Sequence, residues 1–106
     1  MLACLNNSKS IVECGTSFGV STIYFALAAS RNALGRRSDA FGVVTIEKDA
    51  KKVKRARSVW EEAGADITDW ITQVEGDVLE VLQDGSILPE AIDLLFLDGE
   101  VMMFFQ

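Results

Sequence analysis

The sequence lacks histidine altogether and has a single proline and only two cysteines in 106 residues. Two cysteines, Cys4 and Cys14, are too few for the disulfide framework of a small secreted domain, so we expect a reducing, cytoplasmic location. Basic residues are outnumbered 10 to 16 by acidic ones, and a net charge of -6 argues against non-specific nucleic-acid binding. No apolar run approaches the roughly 20 residues that span a bilayer, and residues 1–10 do not resemble a signal peptide, so we expect no membrane partner.

The length bounds the organisation of the chain. Residues 1–106 are enough for one domain at most, and a domain of this size buries somewhat under about 70% of its unfolded surface. Apolar residues make up 49% of the sequence, which is enough for a core. We therefore expect one folded unit rather than a disordered tail.

Residues 11–29 have the pattern of a strand, a tight turn and a helix. A short apolar run is followed by two glycines four apart, Gly15 and Gly19, and then by an Ala/Leu-rich segment. A glycine at a strand end permits a sharp turn and close approach of a ligand to the main chain, and the next helix offers free N–H groups. The segment therefore predicts a ligand site, although such glycines also serve turn geometry alone.

An acidic residue lies just before this turn. The carboxylate of Glu13 tells against a phosphate cradle, because a phosphate site requires neutral or positive surroundings. It suits a ligand that carries positive charge.

The rest of the chain alternates strands and helices. Strands are predicted at residues 42–46, 71–75 and 92–97, and helices at 49–63 and from 78 onward. Glu47 ends the second strand, where an acidic residue reaches the ribose hydroxyls in nucleotide-binding sheets; capping the strand or pairing with Lys48 is the alternative. Asp77 is expected to cap the helix that begins at Val78.

These segments together resemble a known enzyme family. Glu-x-Gly-x-x-x-Gly at 13–19, the acid at 47, the Glu-Gly-Asp-Val-Leu-Glu-Val-Leu segment at 75–82 and Leu-Asp-Gly at 97–99 are similar to class I S-adenosylmethionine-dependent methyltransferases. The nearest likeness is to small-molecule O-methyltransferases related to the catechol and caffeoyl-coenzyme A enzymes. It covers residues 10–99 and corresponds to the amino-terminal half of that family. The implied fold is α/β, a Rossmann-like parallel sheet with flanking helices that stops after the fourth strand.

The resemblance implies a function and a site. The protein would be an S-adenosylmethionine-dependent O-methyltransferase acting on a hydroxyl of a small molecule, with Asp77 facing the adenine amino group. The donor-binding residues would be Glu13, Gly15, Thr16, Ser17, Gly19, Glu47 and Asp77. Asp98 would lie at the catalytic centre, where metal-dependent members bind magnesium or calcium; because the sequence departs from the family after residue 99, a magnesium requirement stays open.

Two alternatives accompany this interpretation. A nicotinamide-dependent dehydrogenase shares the sheet, but Ser17 occupies the position where Gly-x-Gly-x-x-Gly needs its second glycine. The other is a truncated, non-catalytic relative that binds the donor or a partner chain. Whichever interpretation holds, the resemblance stops after the fourth strand. That apolar strand would be an exposed edge, and we expect the chain to self-associate through it.

Overall fold

The computed structural model describes residues 7–16, 18–36, 38, 41–89, 91–97 and, as backbone, 102–105. Strands and helices alternate along most of the chain. In order they are β1 (Ser10–Cys14), α1 (Val20–Asn32), β2 (Gly42–Glu47), α2 (Ala50–Ala63), α3 (Ala65–Thr68), β3 (Ile71–Glu75), α4 (Val78–Asp84), β4 (Leu94–Leu97) and β5 (Met102–Phe105).

The strands form one sheet in the order β3-β2-β1-β4-β5. β1 pairs in parallel with both β2 and β4, and β2 pairs in parallel with β3. Parallel neighbours require crossover connections, which the helices between them supply. The predicted α/β fold, a Rossmann-like parallel sheet with flanking helices, is confirmed.

The position of β4 differs from the expectation. β4 is not an exposed edge, because β5 pairs with it antiparallel and Leu94 lies opposite Phe105. The apolar residues that follow the Leu-Asp-Gly segment thus return along the strand that precedes it. The prediction of an exposed fourth strand is wrong, and self-association through β4 loses its physical basis.

Both faces of the sheet are covered. Successive residues of a strand point to opposite faces, and β1 accordingly contributes Ile11 to one core cluster and Val12 and Cys14 to the other. The first cluster includes buried residues of α1, and the second is packed against Val78 and neighbouring residues of α4. By the same alternation Glu13 points to the α1 side.

The helices differ in detail from the predicted ones. The helical spacing of Ile23, Ala26 and Leu27 predicts that these residues face the sheet, but α1 leaves Leu27 48% exposed and buries Phe25 instead. The centroid of the Phe25 ring lies 5.2 Å from that of the Phe96 ring.

The helical spacing in α2 predicts a core stripe at Val53, Ala56, Trp60 and Ala63. Of these residues, α2 buries Ala56 and Trp60, whereas Ala63 is exposed. Residues 67–70, a short connection by their sequence, overlap a helix of four residues, α3 (Ala65–Thr68). These differences change which residues of a helix face the core and add the short helix α3, while the order of the predicted strands and helices is unchanged.

Candidate functional site

The carboxyl ends of four parallel strands meet at one edge of the sheet. Cys14 at the end of β1 lies opposite Ile46 of β2 and Leu97 of β4, and Glu47 lies opposite Glu75 of β3. From β1 the chain continues to β2 and β3 on one side of β1, and it later places β4 on the other side. The strand order therefore reverses at β1. In open α/β sheets, ligands bind in the crevice at this point, and the predicted site residues follow these strand ends.

Glu13 is fully buried beneath this edge. One carboxylate oxygen, Oε1, accepts hydrogen bonds from the hydroxyls of Thr22 and Thr45, the latter at 2.8 Å, and Oε2 accepts one from the hydroxyl of Ser21. The side chain is 0% exposed. A buried carboxylate must be paired or hydrogen-bonded, and three hydroxyls on α1 and β2 provide this.

The carboxylate of Glu13 also lies at the amino-terminal end of α1. Gly19 is the residue before the first turn and offers no side-chain cap. A helix amino terminus carries partial positive charge and attracts anions. Here Glu13, held by Ser21 and Thr22 in that first turn, supplies the negative charge from within the protein.

Thr16 is held inside the loop between β1 and α1. Its hydroxyl lies 2.6 Å from the hydroxyl of Thr45, and its side chain is 0% exposed. Its carbonyl oxygen accepts a hydrogen bond of 3.0 Å from the N–H of Gly19. The side chain of Thr16 therefore faces the protein interior, and its backbone shapes the turn.

The two glycines of the loop both have left-handed backbone angles. Gly15 has φ of 95° and Gly19 has φ of 84°. A Cβ on Gly19 would lie 2.8 Å from Nε1 of Trp60 and 2.9 Å from Cβ of Ala56. Helix α2 thus needs glycine at position 19 for close packing, a reason separate from the approach of a ligand.

Glu47 and Asp77 stand at the ends of neighbouring strands. Glu47 is 8% exposed, and its Oε2 accepts a hydrogen bond of 3.1 Å from the N–H of Asp49. Asp77 is exposed, and its Oδ1 accepts hydrogen bonds from the N–H groups of Leu79 at 3.0 Å and Glu80 at 3.2 Å. The helix-capping role of Asp77 is confirmed, and the adenine contact stays a prediction.

The family comparison agrees with this arrangement. A family model described as "Methyltransferase domain" matches residues 12–102. The chain belongs to this family of methyltransferase domains. Among curated proteins, no match was found.

Solved structures similar to this methyltransferase domain include three bacterial proteins. Cofactor-bound Rv0187 from MTB is 29% identical with a TM-score of 0.71, over 91% of this chain and 38% of that one. The O-methyltransferase TomG from Streptomyces achromogenes, involved in tomaymycin synthesis and in complex with SAM, is 27% identical with a TM-score of 0.68, over 92% and 40%. An O-methyltransferase from Bacillus cereus in complex with SAH is 32% identical with a TM-score of 0.69, over 92% and 40%.

The methyltransferase domain described here spans about 40% of the length of these proteins. In the described part of the chain, no helix has both the length and the apolar character needed to cross a membrane.

Two predicted site residues of the methyltransferase domain, Ser17 and Asp98, lie outside the described residues. Within the described ranges, no group of three or more His, Cys, Asp or Glu side chains is placed to hold a metal ion. A magnesium requirement and the catalytic role of Asp98 stay predictions.

Sequence reasoning missed the hydroxyl partners of Glu13 and the indole above Gly19. Thr45 gave a usable signal, because it is a polar residue within the valine- and isoleucine-rich strand β2, and a buried polar side chain requires a partner. Trp60 gave none beyond its place on the buried face of α2, since its hydrogen bond to Gly19 depends on how α2 packs on the loop.

Proposed function

We propose that the protein is an S-adenosylmethionine-dependent methyltransferase that transfers a methyl group to a hydroxyl oxygen of a small molecule. The observation that carries the proposal is the buried Glu13 carboxylate at the amino terminus of α1, in a chain of the methyltransferase domain family. A phosphate would compete with this carboxylate for the same helix end, whereas a ligand with sulfonium and ammonium charges is attracted by it.

The remaining donor contacts are proposed along the same edge. Glu47 would accept hydrogen bonds from the ribose hydroxyls, and Asp77 would accept one from the adenine amino group. The backbone of Gly15, Thr16, Ser17 and Gly19 would lie against the rest of the donor. Support comes from the positions of Glu47, the last residue of β2, and Gly15, which follows the neighbouring strand β1. The N–H of Gly15 donates a hydrogen bond of 2.8 Å to the carbonyl of Ile46, beside Glu47.

The role of Glu13 is indirect in this proposal. Its carboxylate is 0% exposed and accepts hydrogen bonds from three hydroxyls. It would therefore act on the donor through the charge it places under the loop rather than through a direct contact. A buried charge acts at a distance because the surrounding protein screens it less than water does.

The chemistry asked of the protein is mainly alignment. When bound, S-adenosylmethionine supplies an activated methyl group, which the acceptor oxygen displaces in line as the carbon–sulfur bond breaks. The acceptor hydroxyl must lose its proton, and the sequence has no histidine to take it. We propose Asp98 as the group at this centre, because in the sequence it directly follows Leu97, the last residue of β4.

The decisive experiment is titration calorimetry of the purified chain with S-adenosylhomocysteine, with and without magnesium. We expect micromolar binding, and a magnesium-dependent affinity would indicate a metal at the site. Absence of binding by a folded chain would overturn the proposal. Binding without methyl transfer to any hydroxyl acceptor would favour the non-catalytic alternative.

We further propose a cytoplasmic location and no nucleic-acid partner. The location rests on the low cysteine count, and the second statement rests on the net charge of -6. Fractionation of cells that express a tagged chain tests the location, and a gel-shift titration tests nucleic-acid binding.

A further inference from the structure

Thr45 lies at the centre of a buried chain of hydrogen bonds. Its hydroxyl donates to Oε1 of Glu13 at 2.8 Å and lies 2.6 Å from the hydroxyl of Thr16. A hydroxyl has one hydrogen, and that of Thr45 is used by Glu13. Thr16 is therefore the donor to Thr45, and the chain runs from the loop through β2 to the carboxylate.

All three side chains are completely buried, each with 0% exposure. Thr45 belongs to β2 and Glu13 to β1, whereas Thr16 lies in the loop that leads into α1. Thr45 is thus the link between the loop and the rigid sheet. The link is independent of the backbone hydrogen bond from Gly15 to the Ile46 carbonyl.

We propose that Thr45 is a positioning residue that holds Gly15, Thr16 and Gly19 of the β1–α1 loop in their donor-binding positions and thereby sets the affinity for S-adenosylmethionine. This inference rests on the proposed function. Thr45 does not need to touch the donor, because it acts through Thr16. Since the Thr16 carbonyl accepts the N–H of Gly19 at 3.0 Å, a displacement of Thr16 would open the turn.

Removing the hydroxyl of Thr45 leaves a buried donor without a partner. In Thr45→Val the side chain keeps its shape, but the hydroxyl of Thr16 loses its acceptor. A buried hydroxyl without a partner raises the free energy of the folded protein, so a movement of the Thr16 hydroxyl toward water becomes favourable. Glu13 keeps its bonds to Ser21 and Thr22, so the effect is concentrated in the loop.

The first test compares binding of S-adenosylhomocysteine by the wild type, Thr45→Val and Thr45→Ser. We expect the dissociation constant of Thr45→Val to rise about 5- to 100-fold. Thr45→Ser restores the hydroxyl and should recover most of the affinity. Thr72→Val, the same change at an exposed position of β3, is the matched control and should bind as the wild type does.

A second test needs no ligand. The amide of Gly19 reports on the turn, because it donates to Thr16, and its hydrogen exchange is measured by NMR in the free protein. Faster exchange in Thr45→Val, reversed in Thr45→Ser, supports the inference. Should Thr45→Val fail to fold, Thr16→Val breaks the same hydrogen bond from the loop side and should show the same faster exchange.

The outcomes separate the two proposals. A wild type that does not bind S-adenosylhomocysteine overturns the proposed function and the effect of Thr45 on affinity. A wild type that binds, with equal affinity in Thr45→Val, overturns only the role of Thr45. Unchanged Gly19 exchange in a folded Thr45→Val or Thr16→Val overturns that role whatever the ligand does.

Discussion

The indole Nε1 of Trp60 donates a hydrogen bond of 2.9 Å to the carbonyl oxygen of Gly19. Trp60 is 1% exposed and belongs to α2, whereas Gly19 ends the loop that follows β1. The two residues are 41 positions apart in the chain. The contact fixes the start of α1 against α2 at the same edge of the sheet as the candidate donor site.

Gly19→Ala should be strongly destabilising for this reason. The new Cβ would collide with Trp60 and Ala56 while the backbone keeps a left-handed φ of 84°. Overpacking and backbone strain together should lower the free energy of unfolding by about 2–4 kcal/mol. Urea denaturation followed by tryptophan fluorescence measures the loss.

Gly85→Ala is the matched control for this substitution. Gly85 also has a left-handed φ, 72°, but a Cβ there meets nothing within 4 Å. Because backbone strain is then the only cost, the free energy of unfolding should fall by about 1–2 kcal/mol in Gly85→Ala. Equal losses in the two variants would show that the packing against Trp60 is not what requires glycine.

Glu47→Ala should weaken binding of S-adenosylhomocysteine about 10- to 100-fold, because the ribose hydroxyls would lose hydrogen bonds to a charged carboxylate. Glu75→Ala is the control, because Glu75 is the register neighbour of Glu47 on β3 and ends a strand at the same edge. Calorimetry on both variants compares a site carboxylate with its neighbour. If Glu47→Ala binds as tightly as Glu75→Ala, Glu47 does not contact the ribose.

The parts of the fold that could be predicted are those that depend on local chemistry. Helix α2 begins after Asp49, whose Oδ1 accepts the N–H of Lys51 at 2.9 Å, and ends at Gly64 with φ of 107°, as its cap residues indicate. β3 occupies Ile71–Glu75, the predicted bounds. Caps and apolar runs specify such elements without reference to the rest of the chain.

The parts that could not be predicted depend on how elements pack on one another. Alternation along β1 places Glu13 on the α1 side of the sheet, but only the packing of α1 shows that its carboxylate is covered by hydroxyls rather than open to a ligand. Likewise, β5 pairs antiparallel with β4, and apolar composition alone does not specify that pairing. The location of the candidate site at the strand ends stays a prediction, and the hydroxyl partners of Glu13 depend on packing that the sequence does not specify.

The two roles of Asp77 can be separated by substitution. Asp77→Ala removes the cap of α4 and should lower the free energy of unfolding by about 1 kcal/mol, as Asp49→Ala should for α2. Asp77→Ser keeps a capping oxygen but shortens the side chain and removes its charge. If Asp77 also binds adenine, both Asp77 variants lose affinity for S-adenosylhomocysteine while Asp49→Ala keeps it.

An alternative outcome distinguishes a purely structural Asp77. In that case Asp77→Ser retains both stability and ligand affinity, and Asp77→Ala loses stability alone. Thermal unfolding and titration calorimetry of Asp77→Ala, Asp77→Ser and Asp49→Ala provide the comparison. Retained affinity in Asp77→Ser would remove Asp77 from the donor site.

Burial, reinforced by the neighbouring Glu13 carboxylate, raises the pKa of the Cys14 thiol from 9.0 to about 11. Because the folded-state pKa is the higher one, the associated stability is fully present below about pH 9 and is lost as the pH rises toward 11. The difference in unfolding free energy between the wild type and Cys14→Ala should therefore shrink over that range. Urea titrations at several pH values measure it.

The same burial should protect Cys14 from thiol reagents. In Cys4→Ser, Cys14 is the remaining thiol, and its side chain is 5% exposed at the carboxyl end of β1. The thiolate is the reactive form, and at pH 8 the raised pKa keeps its population low. We expect slow reaction with a disulfide reagent in the folded protein and fast reaction in urea. Equal rates in the two conditions would mean that the reagent reaches the carboxyl end of β1 in the folded protein, which would contradict the packing of Cys14 between the sheet and α4.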